Sequence, residues 1–192
     1  MMPVTLAPTT RERIVAAAVA MTTEAGWSGV TMGKLAELVG VSRQTVYNEI
    51  GGKPQLAEAM VLRELEMFLD VVDSAFVDFP DDLVRAIETA AFRVLELART
   101  DPLLHAILSS SQGADSELLP LLTTNSEPLL GAAGQMIRAH VSSYDVHLDE
   151  DRVEVLIDMV VRLVLSHVMQ PTAQPAQTAE TIAWIAERVL TA

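Results

Sequence analysis

An all-α fold of about nine helices is predicted, and three observations carry it. Apolar residues recur at three- and four-residue spacing along the chain, from Ile14, Ala17, Ala18 and Met21 to Ile182, Ile185, Ala186 and Val189. Between these stripes stand Thr, Ser or Asp where a helix would start, and Gly or Pro where one would end. Half of the 192 residues are apolar, which is enough for a substantial core in one or two small domains.

Several function classes drop out early. There is no cysteine, so a disulfide framework, a cysteine-based metal site and a thiol nucleophile are excluded. No apolar run reaches the length of a membrane span and no signal peptide opens the chain, so a cytoplasmic protein is expected.

Residues 1–9, with Pro3 and Pro8, read as a flexible arm. Helix one is expected from Thr10 to Ala25, capped by Thr9 or Thr10. Arg11 and Arg13 near its start are candidates for a phosphate or for solvent. Gly26-Trp27-Ser28-Gly29 is a turn, with Trp27 wedged between helices. Thr31 then caps a short helix whose apolar face is Met32, Leu35, Ala36 and Val39. Gly40 accepts the left-handed conformation that ends it. Ser42 caps a second short helix with Val46 and Ile50 on its buried side. Two helices crossing steeply through so tight a bend must approach closely. Ala36 leaves the room, Gly40 makes the turn and Val46 fills the gap.

The exposed residues of that second helix, Arg43, Gln44, Thr45, Tyr47 and Asn48, have no role in a core hairpin. They have one in a DNA major groove. Arg bonds guanine, Gln or Asn bonds adenine, and the Thr methyl touches thymine. Tyr47 and Lys53 suit phosphates. Thr31, Lys34 and Ser42 complete the DNA-contacting set.

The stretches TRERIVAAAVAMTTEAGWSGVTM and KLAELVGVSRQTVYNEIGGKPQLAEAM resemble the DNA-binding domain of the TetR family of bacterial repressors. Gly26-Trp27, Thr31, Ala36, Gly40, Val41, Ser42, Tyr47, Lys53 and Leu56 fit the family pattern. Where members usually carry Tyr-x-His-Phe, this chain has Tyr47-Asn48-Glu49-Ile50; Glu49 is unfavourable against a phosphate and is expected to point sideways. The chain also looks similar to actinobacterial members tied to lipid, alkane or lipid-export genes. The resemblance implies a homodimer on a palindromic operator. It implies a small-molecule pocket enclosed by helices four to eight, and pairing of the last two helices with their copies in a four-helix bundle.

The net charge of −13 is unevenly distributed. Residues 1–55 carry Arg11, Arg13, Lys34, Arg43 and Lys53 against Glu12, Glu24, Glu37 and Glu49, a net of +1. Residues 56–192 carry eight basic and twenty-two acidic residues, a net of −14. DNA repels the acidic part, so only the first end can approach it. The predicted organisation is an arm over 1–9, a helix-turn-helix domain over 10–55, and an effector-binding and dimerisation domain over 56–192.

Helix four is expected over Pro54–Asp78, with a seam of Leu65, Leu69, Val72 and Phe76. Helix five follows over Asp82–Arg99. Asp101 caps a short helix starting at Pro102 and ending at Ser109-Ser110-Ser111-Gln112-Gly113. A short piece over Ser116–Leu122 precedes a helix over Glu127–Tyr144. Helix eight, Asp149–Met169, is apolar on more than one face, so one face is expected to meet its own core and another a partner. Helix nine spans Pro175–Leu190 and turns Trp184 away from its stripe. The dimer-interface candidates are Val161, Leu165, Val168, Thr181, Trp184 and Arg188.

The second domain is rich in Leu, Val, Ala and Met and poor in aromatics, which suits an alkyl chain better than a flat drug. The pocket candidates are Met67, Phe68, Phe92, Leu104, Ile107, Leu108, Met136, Met159 and Leu163, for a long-chain fatty acyl or alkane-like effector. His105, His140, His147 and His167 form no metal-spaced pair, and Ser109–Ser111 lacks a Gly-x-Ser-x-Gly context. No cofactor, metal or enzyme activity is expected. The expected partners are double-stranded DNA, a small lipophilic effector and a second copy, without a membrane. The alternative is a helical protein-interaction module that has lost sequence-specific DNA binding, which the departures at Asn48, Glu49 and Ile50 keep open.

Overall fold

A computed structural model describes residues 7–109 and 117–191. The first six residues of the arm, the helix end at Ser110–Gly113 and the Ser116 start of the short piece lie outside the described residues. Among the described residues there are ten α-helices, one 3-10 turn and no strand. The piece before Pro128, kept as a helix of its own, brings the total to ten. None of these helices is long and apolar enough to cross a membrane.

The chain divides into two compact units. One comprises Met1–Glu64 with Pro102–Thr124, the other Leu65–Asp101 with Asn125–Ala192.

In the first unit, α1 (Thr10–Ala25) opens on a capping box. The Thr9 hydroxyl accepts from the Glu12 N–H, and the Glu12 carboxylate accepts from the Thr9 N–H. Its buried face is Ile14, Val15, Ala18 and Thr22. The expected stripe is therefore corrected by a fraction of a turn, since Ala17 and Met21 stand at its edge, half-buried. A 3-10 turn (Trp27–Gly29) leads to α2 (Met32–Val39) and α3 (Arg43–Ile50). Helix α4 runs from Lys53 to Asp78. Helix α6 (Pro102–Ser109) buries Leu103, Leu104 and Ile107 and packs on α1, and the single turn α7 (Leu119–Leu122) follows. A boundary at residue 55 assigns α6 and α7 to the second domain, whereas these contacts tie them to the first compact unit.

The second unit is built around α5 (Leu83–Thr100), which Asp82 caps through the Arg85 N–H. Two adjacent strips of α5 are buried. Ala86, Ala90 and Val94 join Val72, Ala75 and Phe76 of α4, Val141 of α8 (Glu127–Val141) and Ile157 of α9 (Glu150–Met169). Ile87 and Ala91 join Leu156 of α9 and Ala179, Ile182 and Ala186 of α10 (Pro175–Leu190). The alanines let α5 and α10 lie close along each other; a buried Leu or Ile side chain contributes roughly 2 kcal/mol here. Helix α8 ends three residues before the expected Tyr144. The Tyr144 hydroxyl instead donates to the Phe79 carbonyl beyond the end of α4, at 2.7 Å. Arg93 joins α5 to α4, donating to Ser74 Oγ at 2.8 Å and to Asp78 at 2.6 Å.

Candidate nucleic-acid interface

Helices α2 and α3 meet as their sequence requires. Gly40 sits at φ 75°, ψ 38°, and the Val41 N–H turns back to the Ala36 carbonyl at 2.9 Å. Ser42 caps α3 by accepting the Thr45 N–H at 3.0 Å, and its hydroxyl lies 2.8 Å from that of Thr45. Val46 is fully buried and Ile50 nearly so, which fixes the rotation of α3. Arg43, Gln44, Tyr47, Asn48 and Glu49 are therefore exposed, and Thr45 is half-buried. The Gln44 amide donates to Asn48 Oδ1 at 2.9 Å, one turn along the helix. The predicted DNA-reading residues of α3 thus share one outward face, Thr45 at its edge. Thr31 caps α2 by accepting the Lys34 N–H at 3.2 Å.

Four of the five cations of residues 1–55 are held by a neighbour, and the fifth, Arg43, lies over Gly33. Arg11 donates to the Glu49 carbonyl and Arg13 to the Val39 carbonyl, at the C-terminal ends of α3 and α2. Both satisfy orphan helix carbonyls and complement the negative helix end. Sequence reasoning offered them a phosphate or solvent; their tie is to the protein backbone. The Lys34 ammonium donates to the Gly29 carbonyl at 3.0 Å. The Arg43 guanidinium lies over Gly33, where an added Cβ would stand 2.9 Å from Nη2. Lys53 holds its ammonium 4.6 Å from the centre of the Trp27 ring. Gly33 and Trp27 are the supporting residues that sequence reasoning missed in these roles. The spacing Gly33 to Arg43, across a bend that brings α2 against α3, was the available signal for one of them.

The family models match most of the chain in two blocks. Bacterial regulatory proteins of the tetR family match residues 14–60, and the bacterial tetracyclin repressor C-terminal domain matches residues 82–188. The chain belongs to the TetR family. The HTH-type transcriptional regulator AlkX of Mycobacterium tuberculosis is 30% identical over 145 residues, 76% of this chain and 68% of that protein. Among solved structures, the TetR family repressor AlkX from Dietzia sp. strain DQ12-45-1b, implicated in biodegradation of n-alkanes, superposes with a TM-score of 0.76. It is 24% identical, over 95% of this chain and 96% of that one. The transcriptional repressor QsdR of R. erythropolis shares the fold at a TM-score of 0.62 and 18% identity, over 96% of each chain. TetR proteins are DNA-binding transcriptional regulators and not enzymes.

The TetR C-terminal region places the remaining candidates unevenly. Leu104 and Ile107 are buried and Leu108 half-buried in the first unit. Phe68, Met136 and Leu163 are half-buried against the clusters of the second. Met67 and Phe92 are exposed, and Met159 is 51% exposed on the outer side of α9 beside Val155 at 63%. A cavity of about 30 Å³ in the second unit is lined wholly by Leu, Ile and Val, among them Leu83, Ile87, Val141, Leu156, Val160 and Leu190. None of the nine pocket candidates lines it; the cavity lies where α5, α8, α9 and α10 converge.

The interface candidates are placed by the same helical geometry. Val161 and Val168 pack inward against their own cluster, and Leu165 is half-buried. Outward stand Val155 and Met159 on α9, and Thr181, Trp184 and Arg188 on α10. Trp184 is 56% exposed, with the Arg188 guanidinium 6.0 Å from its ring centre. His140 pairs with Asp73 at 2.8 Å and stacks on Phe76, and His167 Nδ1 lies 2.8 Å from the Leu163 carbonyl. Among the described residues, no group of three or more His, Asp or Glu stands together as metal ligands.

Proposed function

We propose that this chain is a homodimeric TetR-type repressor that reads a palindromic operator with α3 and is released by a lipophilic effector, long-chain acyl or alkane-like in chemistry. The single observation that carries the DNA half is the polar outer face of α3, presented by burial of Val46 and Ile50. Two copies acting together supply the phosphate contacts that one weakly basic head lacks. The apolar outer faces of α9 and α10, with Val155, Met159 and Trp184, support pairing of these helices with their copies. The alkyl chemistry is supported by the likeness to the two AlkX regulators, one of them implicated in n-alkane biodegradation, and by the aliphatic lining of the second unit. Effector release requires a ligand that prefers the DNA-free state, since only differential affinity moves the equilibrium.

The test is fluorescence anisotropy on the DNA upstream of the chain's own gene, against scrambled DNA, over a salt series. Tight, salt-sensitive, sequence-selective binding that falls on adding a long-chain acyl compound or alkane is expected. Equal weak binding to both DNAs removes the operator assignment, and selective binding indifferent to those compounds removes the effector.

A further inference from the structure

The Trp27 ring is 2% exposed, and a buried indole N–H needs an acceptor. Its acceptor is not a nearby carbonyl. Nε1 donates at 2.8 Å to a carboxylate oxygen of Glu117, ninety positions along the chain and itself on the surface. On the face of the same ring lies the Lys53 ammonium, 4.6 Å from its centre. Lys53 opens α4, three residues after the end of α3, and is half-exposed.

We infer that Trp27 is a positioning residue for DNA binding, holding the Lys53 ammonium beside the recognition helix, and that Glu117 sets the hold through the indole N–H. The inference rests on the regulator reading above. A hydrogen bond to an anion draws electron density into the ring, and a more electron-rich face attracts the ammonium more strongly. The carboxylate fixes the plane of the indole, and the indole fixes where the charge stands. The chain has only two lysines, and its first 55 residues carry a net of only +1, so the placing of one ammonium is a large share of what it offers a phosphate. A structural partner for the N–H needs no charge and no lysine on the ring face; this arrangement has both. It also makes residue 117, outside the helix-turn-helix, a determinant of DNA affinity.

Operator binding is measured on the full chain with Trp184 in place, and a Trp184→Phe background, which leaves Trp27 as the one tryptophan, is used for the emission reading alone. Glu117→Ala and Glu117→Gln remove the same negative charge, but the Gln carbonyl still accepts the N–H. Operator binding is titrated over a salt series for both, for Lys53→Met, and for Glu117→Ala combined with Lys53→Met. Lys53→Met is expected to lower the slope of log affinity against log salt by about 0.9 per lost phosphate contact. Glu117→Ala is expected to bind about three- to tenfold more weakly, with part of that loss of slope, and Glu117→Gln, which keeps the acceptor but not the charge, to fall between Glu117→Ala and the wild type. Combined with Lys53→Met, Glu117→Ala is expected to add nothing further. Trp27 emission without DNA is expected to shift in Glu117→Ala and not in Glu117→Gln. Equal affinities for Ala and Gln, or a full additive loss in the combination, would overturn the inference while leaving the regulator in place. A wild-type protein with no selective binding removes the regulator and the inference together.

Discussion

Gly33 illustrates how one missing side chain shapes a reading surface. Arg43 lies in the space that a Cβ would take. Glycine inside a helix costs about 0.5–1 kcal/mol relative to alanine. Gly33→Ala is therefore expected to raise urea stability by about that amount, since the displaced group is the end of a flexible side chain. It is also expected to move Arg43 and so to change operator preference, measured by competition between operator variants. On α3, Gln44→Ala or Tyr47→Ala is expected to lose about 1–3 kcal/mol of operator binding in an anisotropy titration. Wild-type affinity would remove that residue from the interface. Arg13 belongs to a different class. Its side chain is tied to the Val39 carbonyl, so Arg13→Ala is expected to lower thermal stability by about 1 kcal/mol. Among the described residues none ties the Glu49 carboxylate, and the Glu49 backbone carbonyl serves Arg11.

At the scale of elements, the ends of helices decide position. Ser42 sets the first turn of α3, and Ser42→Ala is expected to cost about 1 kcal/mol of stability in urea unfolding. Tyr144 plays the corresponding part at the far end of α4, where its hydroxyl closes on the Phe79 carbonyl. Burial, then the charges of Asp81 and Asp82, raise its pKa above the ordinary tyrosine range. A raised folded pKa means that its stabilisation is complete below the unfolded tyrosine pKa and is lost as pH rises through the folded value. Tyr144→Phe is expected to flatten the alkaline limb of stability against pH; an unchanged limb would show that the hydroxyl is not the titrating group.

The whole molecule is organised by charge and by an unshared apolar surface. A net of −14 over residues 56–192 keeps that part away from DNA and makes approach through the head the favoured geometry. The outward Val155, Met159 and Trp184 are costly to leave in water and suit a second copy. Met159→Glu with Trp184→Glu is expected to yield a monomer in sedimentation equilibrium and to weaken operator binding by orders of magnitude, because two half-sites are then read independently. A double variant that remains a dimer places the interface elsewhere.

Helix existence, caps and the α2–α3 bend were legible in the residues themselves, because hydrophobic period, capping side chains and a left-handed glycine act over a few neighbours. Thr10–Ala25 and Pro175–Leu190 are found at their predicted bounds, and Val46 and Ile50 point α3 outward as their spacing requires. The family was legible for the same reason. Contacts between partners distant in sequence were settled by packing instead. Arg11 and Arg13 meet the ends of α3 and α2, Glu117 meets Trp27 from ninety positions away, and Val161 faces inward while Met159 faces outward. On a helix apolar on more than one side, such as α9, periodicity leaves its rotation open, and packing against α5, α8 and α10 alone selects it.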